Sequence, residues 1–260
     1  MVNYHQLKAF IKHWLTSVDK HSIHSPFFFD FYNKVILDKT DPGQFSETEQ
    51  LRSNLLVNST EIEIIDFGAG SKKLNGTKRK LLDIASTSLT PQKFARLYYN
   101  IITYQKAKNI VELGTSLGIT SLYLAKSKAC HVTTFEGSRS LADVAITNFE
   151  YFEKQNIELI EGNINSTLQE FVQNPAKINF VLIDANHQYA PTLRYFNMMM
   201  RRLNEKSIVV LDDIHWSEEM ERAWNELRTS QLVYGSIDLF RCGILFFDPD
   251  INRQHFVLNL

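Results

Sequence analysis

From Gln92 to Arg228 the sequence alternates short apolar runs with longer amphipathic stretches, and this alternation limits the fold more than any other feature. The runs Asn109–Leu113, His131–Glu136, Ile157–Glu161, Ile178–Asp184 and Ser207–Asp212 are strand candidates, with helices filling the intervals. Near-continuous apolar strands separated by helical crossovers mean a mainly parallel sheet covered on both faces. The expected fold class is therefore α/β, doubly wound. After a helix around Glu218–Arg228, the runs Leu232–Asp238 and Gly243–Phe247 are too close for another helical crossover. They are expected to pair antiparallel at a sheet edge, giving seven strands.

Residues 1–91 read differently. An amphipathic opening helix, an aromatic cluster from Phe27 to Tyr32, a polar stretch from Asp38 to Glu49 and a lysine-rich loop from Lys72 to Lys80 suggest a mostly helical cap or lid preceding a domain at 92–260. The segment His21–Tyr32 is read as a hydrophobic helix that docks on the sheet, in preference to a lid over a site. With 28 basic and 29 acidic residues the chain carries a formal charge of -1, which leaves no electrostatic footprint for nucleic acid or an anionic membrane. Two cysteines, Cys130 and Cys242, are too few for a disulfide framework and are expected as buried thiols in a reducing compartment. The opening residues lack a leader's apolar core and cleavage site, and no stretch approaches the roughly 18 apolar residues of a membrane span. The cytoplasm is the expected location.

The segment Glu112-Leu-Gly114-Thr-Ser-Leu-Gly118-Ile-Thr120 is a strand end, a tight glycine turn and a helix start, which brings backbone N–H groups to a ligand. Its glycines are spaced G-x-x-x-G, unlike the G-x-G-x-x-G that admits a dinucleotide pyrophosphate, and Thr120 and Ser121 add hydroxyls at the helix start. A carboxylate ligand is favoured. Glu136 ends the next strand, where an acid can accept hydrogen bonds from both hydroxyls of a ribose. Together these features suggest an adenosine ligand. A second glycine element, Ile64–Ser71, is set aside, because a charged loop follows it instead of an amphipathic helix.

Asp184 ends one late strand, and Asp212 with Asp213 ends the next. Ligands of doubly wound sheets bind at such carboxyl ends, so these three acids are expected to converge beside the cofactor. Three close carboxylates need neutralising, and Mg²⁺ or another divalent cation with hard oxygen ligands would do so. His187, three residues beyond Asp184, can take a hydroxyl proton near neutral pH. His215 and Trp216 are read as packing residues.

Over residues 92–247 the chain resembles class I methyltransferases, and within them the catechol and caffeoyl-CoA type O-methyltransferases and related bacterial enzymes. The resemblance implies a Rossmann-like domain that binds S-adenosylmethionine through Glu112, Gly114, Thr115, Ser116, Gly118, Thr120, Glu136, Asn163 and Asp184. Thr120 would meet the methionine carboxylate, Glu136 would clasp the ribose, and Asn163 or Ile164 would lie beside the adenine. It also implies metal ligands at Asp184, Asp212 and Asp213, the last standing where the catechol type has asparagine. His187 takes the place of that type's lysine base, so His187 with Asp184 is expected to carry the chemistry. The expected partner is a small-molecule hydroxyl acceptor, with a homodimer compatible with the sequence. A nicotinamide-dependent oxidoreductase and a cofactor-binding regulator without turnover are the competing classes.

Overall fold

The apolar runs that suggest parallel strands form strands in the computed structural model, which describes residues 4–37, 39–64, 78–127 and 129–260. In chain order the described strands are β1 (Glu61–Glu63), β2 (Lys78–Lys80), β3 (Asn109–Leu113), β4 (His131–Glu136), β5 (Ile157–Glu161), β6 (Phe180–Ile183), β7 (Ile208–Leu211), β8 (Gly235–Asp238), β9 (Gly243–Phe246) and β10 (Gln254–Val257). The helices are α1 (Tyr4–Thr16), α2 (Pro26–Phe31), α3 (Ser46–Leu55), α4 (Leu81–Ser88), α5 (Gln92–Gln105), α6 (Ile119–Leu124), α7 (Arg139–Tyr151), α8 (Ile164–Phe171), α9 (Tyr189–Met199) and α10 (Glu218–Arg228). The glycine element at Ile64–Ser71 falls almost wholly outside the described residues. The main sheet has eight described strands and is mostly parallel, so the fold class expected from the sequence holds. The chain divides into two compact units, Met1–Leu37 with Val172–Leu260, and Asp38–Phe171.

In the unit Asp38–Phe171, β3 pairs parallel with β4 and β4 with β5, in the register Leu113 to Phe135 and Glu136 to Glu161. All but the first residue of β3 and of β4 is buried, as strands covered on both faces must be, whereas β5 alternates partly exposed positions. Behind the strands Phe45 stacks on Tyr123 at 4.1 Å, within an apolar cluster that includes Leu81, Ile84, Ala95 and Ile119. The small ribbon β1–β2 sets Glu61 opposite Lys80 and Glu63 opposite Lys78, pairs of opposite charge that favour this register.

In the unit Met1–Leu37 with Val172–Leu260, β6 and β7 pair parallel, β9 runs antiparallel between β7 and β8, and β10 lies parallel beside β8. The expected antiparallel pairing of the last two apolar runs is present. However, β9 is interior and not an edge strand, and the sheet gains an eighth member because Gln254–Val257 hydrogen-bonds to β8. Its short sequence, Gln-His-Phe-Val, mixes two polar with two apolar residues and is too brief to announce a strand. The aromatic segment behaves as the docking helix expected of it: Phe28 and Phe31 of α2 are buried edge-on against Phe246 of β9, at 5.4 and 5.1 Å between ring centroids. Gly235 of β8 permits this approach, since a Cβ there would stand 2.4 Å from the Phe28 ring. No helix of the described residues is long and apolar enough to cross a membrane.

Candidate functional site

The glycine turn after β3 is built by backbone geometry that side chains resist. Gly114 has φ 105°, Gly118 φ 81° and Ser116 φ 49°, all in the left-handed region. A Cβ on Gly118 would stand 2.6 Å from Cε1 of Phe149 in α7, so only glycine lets α6 start this close to its neighbour. The N–H groups of Gly114 and Thr115 both donate to the Phe135 carbonyl at 3.0 Å, which fastens the turn to the end of β4. Glu136, at that same end, completes the tie. Its Oε2 accepts the Ser116 N–H at 2.8 Å and its Oε1 accepts the Ser138 N–H at 2.9 Å.

The other residues expected to bind the cofactor divide into two groups. Glu112 and Thr115 turn inward: Glu112 is fully buried, its Oε2 accepting hydrogen bonds from Ser121 and, at 2.6 Å, from Thr134, while Thr115 Oγ1 pairs with Thr134 Oγ1 at 2.7 Å. Burial pushes the Glu112 carboxyl up to about 7, against the opposing hydrogen bonds of Ser121 and Thr134. These two residues brace the turn from beneath. Ser116 contributes its N–H to Glu136, and its hydroxyl meets Ser88 Oγ at 2.9 Å. Thr120 is nearly buried and donates to Thr90 Oγ1 at 3.1 Å. Asn163 follows Gly162, which has φ 131°, and its Oδ1 accepts the Asn165 N–H at 3.0 Å, opening α8.

The expected acids lie in the other unit, at the carboxyl ends of the adjacent strands β6 and β7. His187 Nε2 is 3.6 Å from Asp184 Oδ1, both side chains being only partly exposed. Ligand atoms of Asp184, His187 and Asp213 lie within 4.8 Å of one another. Asp212 is placed differently. It is fully buried, its Oδ1 accepts the Asp213 N–H at 3.0 Å, and its Oδ2 accepts from Arg241 Nη2 at 3.1 Å. The second Arg241 amino group is 3.6 Å from Asp213 Oδ1. Burial, then the charge of Asp212, pushes the Asp213 carboxyl up, opposed by Arg241 and His187. Four of the seven described non-glycine residues with positive φ adjoin this group: Asn186 (69°), His187 (40°), Asp213 (52°) and Phe240 (65°). Such conformations cost on the order of 1–3 kcal/mol each and concentrate at functional sites.

His215 and Trp216 are not part of this group of acids. The buried His215 ring stacks on Phe240 at 5.4 Å and its Nε2 is 3.0 Å from Asp238 Oδ2, which also accepts from Trp224 Nε1 at 3.3 Å. Burial would raise Asp238, but the hydrogen bond and charge of His215 outweigh it and hold the carboxyl below its usual range. This is packing, as the sequence suggests for His215.

Residues 111–214, from the middle of β3 to just beyond Asp213, match the family model described as a methyltransferase domain. Over these residues the chain is similar to methyltransferase domains. No curated protein matches the sequence. Among solved structures, a Staphylococcus aureus protein provisionally assigned as a caffeoyl-CoA O-methyltransferase is similar over 85% of this chain and 97% of its own, with a TM-score of 0.60 and 18% identity. A Bacillus cereus O-methyltransferase in complex with SAH is similar over 84% and 96%, with a TM-score of 0.56 and 16% identity. The O-methyltransferase TomG from Streptomyces achromogenes, in complex with SAM, is similar over 84% and 95%, with a TM-score of 0.57 and 16% identity. The chain thus has the fold of these O-methyltransferases.

Sequence reasoning did not anticipate Ser138 or Arg241 in this domain's surroundings. Ser138 had a legible signal, standing two residues after Glu136 at the start of α7. Arg241 had none, because it lies 29 positions from Asp212 and is delivered by the pairing of β7 with β9.

Proposed function

We propose that the chain is an S-adenosylmethionine-dependent O-methyltransferase acting on the hydroxyl of a small molecule. The observation that carries this reading is the Glu136 carboxylate, oriented by the N–H groups of Ser116 and Ser138 at the mouth of the glycine turn. A carboxylate accepts about four hydrogen bonds, so orientation by N–H groups is compatible with acceptance from ribose hydroxyls. The left-handed backbone at Gly114, Ser116 and Gly118 and the G-x-x-x-G spacing suit a cofactor without a pyrophosphate. When bound, S-adenosylmethionine supplies a methyl group on a sulfonium and leaves as S-adenosylhomocysteine.

The chain's own residues do the rest. His187 removes the proton of the acceptor hydroxyl as the oxygen forms its bond to the methyl carbon, and Asp184, 3.6 Å from Nε2, stabilises the imidazolium. No covalent bond to the enzyme forms, and the proton leaves His187 for water after transfer. Glu112 acts beneath the turn as a brace and does not contact the ligand. Asp212 is held by Arg241, so no step of this mechanism runs through a metal. The reading keeps residues 1–91 as a cap that helps select the acceptor, and takes the cytoplasm as the compartment because Cys130 and Cys242 are both buried and not joined in a disulfide.

The test is calorimetric titration of the full chain with S-adenosylhomocysteine, with NAD as the control, in EDTA and in Mg²⁺. Stoichiometric binding of the homocysteine product, abolished by Glu136→Ala, supports the reading. Binding of NAD alone would overturn it.

A further inference from the structure

The resemblance to catechol-type enzymes implies a divalent cation held by Asp184, Asp212 and Asp213, and the donor set does not fit one. Asp212 is completely buried and its carboxylate is already hydrogen-bonded to a cation, the Arg241 guanidinium at 3.1 Å. The same guanidinium stands 3.6 Å from Asp213, so it straddles the acid pair that would have to share a metal. This is a built arrangement. The turn between β8 and β9 is closed by the Leu239 N–H donating to the Cys242 carbonyl at 2.9 Å, with Phe240 in the left-handed region. The Ile214 N–H donates to the Arg241 carbonyl at 3.1 Å, which pins the arginine backbone beside the residue that follows Asp213. A guanidinium keeps its charge throughout the accessible pH range and its planar fork matches two carboxylates.

We propose that Arg241 takes the place of the divalent cation in this chain: it neutralises Asp212 and Asp213, and proton removal by the Asp184–His187 pair proceeds without metal. Arg241 is a positioning residue in this scheme, acting on the acceptor only through the acids it holds. The catalytic half rests on the methyltransferase reading; the charge substitution does not.

The experiment is Mn²⁺ titration of the full-length wild type, Arg241→Met and Arg241→Lys, read by the electron paramagnetic resonance of free Mn²⁺, with no cofactor or acceptor present. The wild type and Arg241→Lys should show no saturable site, whereas Arg241→Met should gain one. Methyl transfer by the wild type should be the same in EDTA as in Mg²⁺, and that of Arg241→Met should become stimulated by metal. One Mn²⁺ bound tightly per wild-type chain would overturn the proposal, whether it is lost in Asp212→Asn or is held by the Asp184, His187 and Asp213 group and lost in Asp184→Asn. So would an Arg241→Met variant that is folded by circular dichroism yet gains no site. Should that variant not fold, the wild-type and Asp212→Asn titrations still decide. Failure of S-adenosylhomocysteine to bind would remove the methyltransferase reading while leaving the metal titrations interpretable.

Discussion

The Ser116 N–H donates to Oε2 of Glu136 at 2.8 Å, joining the turn after β3 to the acid that ends β4. Two features that sequence reasoning treated as separate cofactor contacts are therefore one mechanical unit: the carboxylate holds the turn in shape, and the turn aims the carboxylate.

Removing that carboxylate should hurt twice. Glu136→Ala leaves the Ser116 and Ser138 N–H groups without this acceptor, and each that stays buried costs about 1–3 kcal/mol. Urea unfolding should show that loss. The affinity for S-adenosylhomocysteine should fall by about 10²–10⁴-fold if two charge-assisted ribose bonds disappear together. A variant that loses stability but binds the product normally would show that Glu136 only shapes the turn.

Gly118→Ala should be costly although it adds one methyl group. Its φ of 81° is unfavourable to a side chain by about 1–2 kcal/mol. The new Cβ would also meet the Phe149 ring at 2.6 Å, adding about 1–3 kcal/mol of overpacking. Adding Phe149→Leu should recover part of the packing cost and none of the backbone cost. Denaturant midpoints of the single and double variants separate the two.

The fold was largely legible because β6 and β7 are unbroken runs of Val, Ile, Leu and Phe, and β3 and β4 are short β-branched and apolar segments, nearly all of them buried, a pattern that survives without knowledge of the partners. β10 was not, since four residues led by Gln and His are a strand only because β8 presents an edge to them. In the site, the glycines, Glu136, Asp184 and His187 stand at strand ends that the pattern locates. The inward turn of Glu112 and Thr115 depends on Thr134 lying opposite on β4, a register the sequence does not state. The pairing of Arg241 with Asp212 depends on β9 entering between β7 and β8, where an edge hairpin was expected. Local sequence thus set the candidate residues at strand ends, and long-range pairing decided which of them are exposed, braced or neutralised.

His187→Ala should leave the affinity for S-adenosylhomocysteine unchanged and lower kcat by about 10²–10⁴-fold with the hydroxyl acceptor found by screening. The reason is geometric: His187 stands 3.6 Å from Asp184 on a left-handed backbone, in the unit that does not contain the glycine turn. Single-turnover rates against calorimetric Kd values check the split. A fall in affinity with kcat preserved would move His187 from proton removal to ligand binding.

The buried acid beneath the turn gives a pH dependence of stability with a definite sign. Glu112 has an ordinary value of 4.5 and is raised to about 7 in the fold. Between these values the unfolded chain releases the proton that the folded chain retains, so folding stability falls as pH rises through this window. The contribution is fully present below about pH 4.5 and lost above about pH 7, and a shift of this size corresponds to up to about 3 kcal/mol. Glu112→Gln cannot ionise, so its stability relative to wild type should improve by up to that amount between pH 5 and pH 8. Urea unfolding of both proteins at the two pH values measures the double difference, which cancels the cost of burying an amide in place of a carboxyl. A difference of zero would mean that the Glu112 carboxylate is held charged by Ser121 and Thr134, and the turn would then rest on an ionised brace.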